Sequence, residues 1–380
     1  MYLDYNAGTP LDARVLEAMC ESLAGPAGNP SSTHQFGRAA RAQLDRAREQ
    51  VAALVGAHPS QVVFTSGGTE ANNLALHAVT AGLEPGRLAV SAIEHPSVLE
   101  AARALEKGGW QLDLVKSDSN CRIVPQALHD VLRPETRLVS VMLANNETGV
   151  IQPLPELADC ARAAGALLHT DAVQAVGKLS MDFEASGAHL MTLSAHKIYG
   201  PKGAGALIFD KSVELAPLLH GGGQERGLRA GTENIAAIVG FGVAAELAAG
   251  MPGRESERQR ELRDCLQAGL KRHARISVFA EQAQRLPNTL QFAIAGLDGE
   301  TLLMQLDKAG IAVSSGSACA SGSSEPSHVL LAMGVDATLA RGAVRVSIGR
   351  ETRREDIDRL LVAIDEKIQW LNKAARVASW

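Results

Sequence analysis

Four apolar runs in this 380-residue chain each lead into a residue type that can do chemistry. Val62–Thr65 enters Ser66-Gly67-Gly68-Thr69 and then a helical pattern. Small residues at a helix start let free backbone N–H groups approach an anion, and Thr69 adds a hydroxyl donor. Such a cup can hold a phosphate, although a helix cap after a tight turn has the same composition. Ala166–Thr170 delivers Asp171, which reads either as a ligand group at a strand end or as an N-cap. Leu190–Leu193 leads through Ser194-Ala195-His196 to Lys197, twenty-six residues after Asp171. Most lysines are surface charges, but this one stands in a loop at a strand end and is followed by Gly200-Pro201. His95, in Glu94-His95-Pro96 after Leu88–Ser91, suits stacking on a flat ring and equally suits satisfying a helix start.

Phosphate cup, acid and lysine belong together if the ligand is pyridoxal phosphate. The acid keeps a proton on the ring nitrogen, so that the ring can act as an electron sink. The lysine condenses with the aldehyde. A free lysine titrates near ~10.4, so desolvation or a neighbouring cation must lower it. A further candidate is Cys319, within an eleven-residue stretch, Ser314–Ser324, that holds six Ser and two Gly. That composition predicts a loop, whereas a structural cysteine is normally surrounded by apolar side chains. An unperturbed thiol titrates near ~8.5, so a reactive Cys319 needs a cation or a histidine beside it. The remaining cysteines read otherwise: Cys20, Cys160 and Cys265 fall on helical patterns, and Cys121 falls in a polar turn where exposure is expected.

The elements that must position these residues alternate along the first two thirds of the chain. Strand-like runs are Val62–Thr65, Leu88–Ser91, Leu112–Val115, Leu138–Leu143, Ala166–Thr170, Leu190–Leu193 and Ala206–Phe209. Helical segments such as Glu70–Ala81, Pro96–Glu106, Pro125–Leu132 and Pro155–Ala164 lie between them. This alternation predicts a mostly parallel sheet covered by helices on both faces, with ligands at the carboxyl ends of the strands. After Phe209 comes the glycine cluster 220–227, then a long helical stretch ending near Gly250–Gly253. A charged helix over Arg254–His273, a strand at Thr289–Ile294, a helix from Gly299, a strand at Ala343–Ile348 and a last helix from Arg353 follow. We therefore expect a large domain over residues 13–251 and a smaller α+β domain built from residues 1–12 and 252–380, the latter carrying the Cys319 loop.

Composition narrows the function classes. Lys and Arg number 37 against 42 Asp and Glu, a net charge of −5, which argues against a protein built to bind nucleic acid. Five cysteines without a C-x-x-C pair suit a reducing compartment. The N-terminus shows neither a secretory nor a transit pattern, and the apolar stretch Ile235–Ala245 is too short for a membrane span, so a cytoplasmic protein is expected. Eleven histidines show no H-E-x-x-H pattern, which disfavours a zinc hydrolase.

Taken in order, the segments resemble the NifS-type (group I) cysteine desulfurases among the fold-type I pyridoxal-phosphate enzymes related to class V aminotransferases. The resemblance rests on 65–73 (TSGGTEANN), 93–95 (IEH), 144–149 (ANNETG), 171–174 (DAVQ), 194–197 (SAHK), 221–226 (GGGQER), 229–234 (RAGTEN), 314–322 (SSGSACASG) and 345–349 (RVSIG). It implies an α/β fold and a homodimer that binds pyridoxal 5′-phosphate and acts on L-cysteine. Lys197 would carry the cofactor, Asp171 would pair with the ring nitrogen, Gln174 with the ring hydroxyl, and His95 would stack on the ring and relay protons. Gly68, Thr69, Ser194 and His196 would hold the phosphate, joined by Thr232 from the partner subunit, while Asn146 and Arg345 would contact the substrate carboxylate. Cys319 would receive the sulfur as a persulfide and pass it to an acceptor such as an iron–sulfur scaffold protein. The rivals are a selenocysteine lyase or an aminotransferase on the same fold, and a non-catalytic sulfur carrier that retains the fold alone.

Overall fold

A computed structural model describes residues 1–315 and 325–378. The apolar runs form seven strands of one sheet: β1 (Val62–Thr65), β2 (Arg87–Ser91), β3 (Gln111–Val115), β4 (Thr136–Ser140), β5 (Leu167–Asp171), β6 (Leu190–Ser194) and β7 (Gly205–Phe209). Their order is β1-β7-β6-β5-β4-β2-β3. The pairs β2–β3, β2–β4, β4–β5 and β5–β6 are parallel, and β7 alone runs against both its neighbours. The sheet is thus mostly parallel, as the alternation of strand and helix predicts.

Burial on both faces follows from the side-chain period of two. Val62, Phe64, Ala89, Val139, Met191 and Ile208 enter one apolar cluster, which includes the helices Gln35–Leu54 and Ile235–Ala249. Their neighbours Val63, Leu88, Val90, Leu138, Leu190 and Leu207 enter another, with the helices Gly68–Thr80 and Pro96–Lys107. β4 ends at Ser140, three residues before the expected Leu143. Beyond it the chain still bonds to β5, through Val141 N to His169 O and Leu143 N to Asp171 O.

A second sheet has the order β10-β11-β9-β8, from β8 (Ile276–Val278), β9 (Thr289–Ile294), β10 (Ser314–Ser315) and β11 (Ala343–Ser347), all antiparallel. One face, with Leu290, Phe292, Ile294, Val344 and Val346, packs on the helices Arg254–Leu270, Gly299–Lys308 and Arg354–Ala378. The N-terminal residues lie with this sheet: Leu3 enters its apolar cluster, and Asp4 forms a bridge to Ser347. Among the described residues, no single helix is long and apolar enough to cross a membrane.

Cys121 departs from expectation. The turn around it is polar, yet the residue is fully buried in the larger apolar cluster with φ of +64°, and burial pushes its thiol up to about 12. Gln152 reaches over this turn, donating from Nε2 to Cys121 O and accepting from Ile123 N, so the polar turn folds inward under a buried amide.

Candidate active site

The carboxyl ends of β1, β2, β4, β5 and β6 open on one cavity of about 530 Å³. Ten of the residues singled out from the sequence line it: Gly68, Thr69, His95, Asn146, Asp171, Gln174, Ser194, His196, Lys197 and Arg345. Thr232 is exposed and outside the cavity. Cys319 lies outside the described residues. On either side of it, Ser314 pairs with the cavity residue Arg345 in the small sheet, and His328 Nε2 donates at 2.9 Å to the backbone oxygen of Glu94, next to the cavity residue His95.

The anion cup is built from backbone. Helix Gly68–Thr80 starts after Gly67 with no side chain capping its first N–H groups, which leaves them facing the cavity for an acceptor from outside the chain. Close packing on the strand behind keeps the turn in place. A Cβ on Gly205 of β7 would lie 2.6 Å from the carbonyl carbon of Gly67, so glycine is required there. Glu70 ties the turn laterally, accepting from Ser66 N at 2.9 Å and pairing with Arg229 Nε at 2.8 Å. Ser194 Oγ and His196 Nδ1 lie 2.9 Å apart on the opposite wall, where burial and then the Lys197 and Lys202 charges push His196 down to about 4.

Asp171, the last residue of β5, is 5% exposed. One oxygen accepts from Val173 N at 2.9 Å and the other from Asn72 Nδ2 at 2.8 Å, which fixes the carboxylate in the cavity wall. Asn72 Nδ2 also donates to Ser97 Oγ, and Ser97 Oγ lies 2.7 Å from His95 Nδ1. Because His95 Nδ1 also accepts from Ser97 N, the proton of the neutral ring belongs on Nε2. Burial is the main cause of a lowered His95 pKa, so the neutral ring is favoured. Asn72 and Ser97 thus join the acid to the histidine. Asn72 lies in the 65–73 segment and Ser97 in the expected helix Pro96–Glu106, but nothing in their spacing predicts that they meet.

Lys197 Nζ donates to the backbone oxygens of Asn6 and Ala7, the latter at 2.8 Å. Asn6 O also accepts from Gln174 Nε2 at 2.9 Å. The N-terminal segment therefore forms part of the cavity wall, through Asn6 and Ala7. Arg345 is 2% exposed; its Nη2 pairs with Asp4 at 2.7 Å, its Nη1 donates to Asn146 O at 3.0 Å, and its Nε is a buried donor with no partner among the described residues. Such a fork, held from behind with an N–H left over, is suited to a carboxylate. Beneath these groups, buried His169 bridges Ser140 on β4 and Thr192 on β6, and burial pushes it down to about 4. Among the described residues no cluster of His, Cys, Asp and Glu could hold a metal ion.

Comparison with known proteins agrees with this arrangement. The class-V aminotransferase family profile matches residues 1–360. A cysteine desulfurase from Gluconacetobacter diazotrophicus is 47% identical over 365 residues, covering 95% of this chain and 91% of that protein. The cysteine desulfurase IscS of Dictyoglomus turgidum is 43% identical over 374 residues, covering 98% and 95% respectively. A solved structure of a NifS-like protein is similar with a TM-score of 0.91 at 37% identity, covering 97% of this chain and 99% of that one. An anion cup, a buried acid and a strand-end lysine around one cavity, on a chain similar over nearly its whole length to such proteins, place it in a family: it belongs to the class-V aminotransferases, on their cysteine desulfurase branch.

Proposed function

We propose that the protein is a pyridoxal 5′-phosphate-dependent cysteine desulfurase that converts L-cysteine to L-alanine and delivers the sulfane sulfur to acceptor proteins through Cys319. The observation that carries this reading is the convergence of Lys197, Asp171, His95 and Arg345 on one cavity. The donor set suits the cofactor. Uncapped amides with Thr69, Ser194 and His196 suit a phosphate, Asp171 suits a ring nitrogen, and Lys197 suits an aldehyde.

When bound, the cofactor supplies an electrophilic carbon and a ring that takes up the electron pair left as the substrate loses its Cα proton. Asp171, immobilised by Asn72 and Val173, would hold the proton on the ring nitrogen. Gln174 would donate from its amide to the ring hydroxyl. Lys197 Nζ would take the Cα proton, and the Asn6 and Ala7 oxygens to which it donates would hold it as an ammonium. His95, with Nδ1 occupied by Ser97, would stack on the ring and relay protons through Nε2. Asn146 and the Arg345 fork orient the substrate carboxylate.

The Cys319 thiolate then attacks the substrate sulfur. An S–S bond would form as the C–S bond breaks, its electron pair staying with carbon; the carbon skeleton would take a proton at Cβ, regain one at Cα and leave as alanine, with Cys319 left as a persulfide. Thr232, exposed on this chain, completes the phosphate site of a second copy in a homodimer. The persulfide serves iron–sulfur cluster or other thio-cofactor assembly in the cytoplasm through a protein acceptor, with no nucleic acid or membrane partner.

Cys319→Ala tests the assignment. The variant is expected to remain yellow when loaded with cofactor and to form no protein-bound persulfide from cysteine; undiminished alanine and sulfide release would refute the role of Cys319. Alanine released from cysteine without any 2-oxo acid separates the reaction from transamination. A parallel assay with selenocysteine separates it from a selenocysteine lyase.

A further inference from the structure

Lys178 is 9% exposed and lies next to the site without lining the main cavity. Its Nζ donates to Gln174 O at 2.8 Å and to Gln174 Oε1 at 3.3 Å. Among the described residues no carboxylate bridges to it, and the charges acting on it, from Lys197 and Arg345, are both positive. Burial, followed by those two cations, pushes its ammonium down to about 7. A buried lysine without a counter-charge is costly, and packing alone would be served as well by methionine. Its backbone is fixed: Gly177 precedes it with φ of +73°, and Ser256 Oγ donates to Lys178 O at 3.0 Å.

The effect of that nitrogen falls on one side chain. Gln174 Nε2 donates to Asn6 O at 2.9 Å while Gln174 Oε1 accepts from Lys178 Nζ. Reversing the amide would set its NH2 group against another donor and its oxygen against the Asn6 carbonyl, a mismatch at both ends. Locked in this sense, Gln174 retains a second N–H on Nε2 and lines the cavity with a donor. We propose that Lys178 is a positioning residue for cofactor recognition: its buried Nζ holds the Gln174 amide so that N–H, and not C=O, meets the ring hydroxyl of pyridoxal phosphate. This rests on the contact between Gln174 and the ring hydroxyl proposed above.

The test compares equilibrium binding of pyridoxal 5′-phosphate and its 3-deoxy analogue, which lacks the ring hydroxyl, to apoprotein of the parent, Lys178→Met, Lys178→Gln and Gln174→Ala. A hydrogen bond to an ionised oxygen is worth enough that Lys178→Met is expected to bind the natural cofactor roughly tenfold more weakly. Its affinity for the 3-deoxy analogue should stay within about twofold of the parent, and its thermal unfolding should come no earlier, since a buried uncompensated charge has been removed. Lys178→Gln, which keeps a donor, is expected to retain part of the preference for the natural cofactor. Equal weakening toward both compounds, no weakening toward the natural one, or much earlier unfolding of Lys178→Met would each overturn the proposal. Gln174→Ala separates the two layers. If it keeps the parent's preference, the Gln174 contact itself is wrong; if it loses the preference while Lys178→Met keeps it, the role of Lys178 alone fails.

Discussion

The two sheets contribute to the cavity in different ways. Strands of the large sheet are covered on both faces, and the groups they bring to the cavity stand at or just past their ends: Asp171 and Ser194 are the last residues of β5 and β6, and Lys197 follows β6. The small antiparallel sheet packs one face on its helices and offers polar groups in mid-strand. On β11, Val344 and Val346 point into its apolar cluster while Arg345 and Ser347 point the other way, and on β9 Thr289 and Gln291 do the same. The large sheet thus delivers its cavity groups from strand ends, whereas the small sheet delivers Arg345 from the face opposite its helices. The first sheet supplies the acid and the lysine, and the second supplies the arginine.

Substitutions that respect this division should separate cofactor chemistry from substrate recognition and both from stability. The largest effect is expected at a strand end of the large sheet. Lys197→Ala should bind cofactor without covalent attachment, losing the imine absorbance and lowering alanine formation roughly ten-thousandfold. Next comes the face of the small sheet. Arg345→Gln should keep the yellow colour yet lower kcat/KM for cysteine roughly a hundredfold, chiefly through KM, as expected when one partner of a buried charge contact is removed. Equal loss of cofactor and substrate binding in that variant would break the division of labour.

On the opposite face of the same sheet, Phe292→Ala should cost about 3–5 kcal/mol of stability in urea unfolding, because Phe292 is wholly buried. The cofactor spectrum of its folded fraction should be unchanged. The smallest effect is expected at His169, inside the large sheet. Burial holds this histidine neutral in the folded protein, down to about 4 from the usual 6.5. Between about pH 6.5 and about pH 4 the unfolded chain takes up a proton there and the folded chain does not, so stability falls as the pH falls. His169→Gln should remove about one proton from that dependence, seen as a shallower decline of the urea midpoint with pH. An unchanged slope would show that His169 is not the group responsible.

Much of the framework could be read from the chain. β1 and β9 fall on the expected residues, because four and six consecutive buried side chains, apolar except for Thr65, Thr289 and Gln291, leave a short run rich in β-formers. β8 and β10 were missed, since three and two residues are too short for any period to show. The helix Gln35–Leu54 was also unassigned despite its apolar stripe of Ala40, Leu44, Ala47 and Val51. The turn at Cys121 misled, because its polar residues are satisfied by Gln152, thirty-one positions away. Within the site, Asp171, Lys197 and His95 were legible as strand-end residues. Asn6, Asn72, Ser97 and Lys178 were not, because each acts through a partner distant in sequence or through a backbone oxygen that no side-chain pattern encodes.

Sequence alone determined that a glycine-rich helix start, an acid and a lysine stand at strand ends of a mostly parallel sheet, because apolar runs, glycines and turn residues act locally. Tertiary structure alone decided that Asp4 braces Arg345 across 341 positions, that Asn6 bonds both Lys197 and Gln174, and that a buried lysine lies behind that glutamine. Hydrogen bonds between distant segments depend on where the chain returns after folding, and burial decides which of them exclude water and so acquire strength.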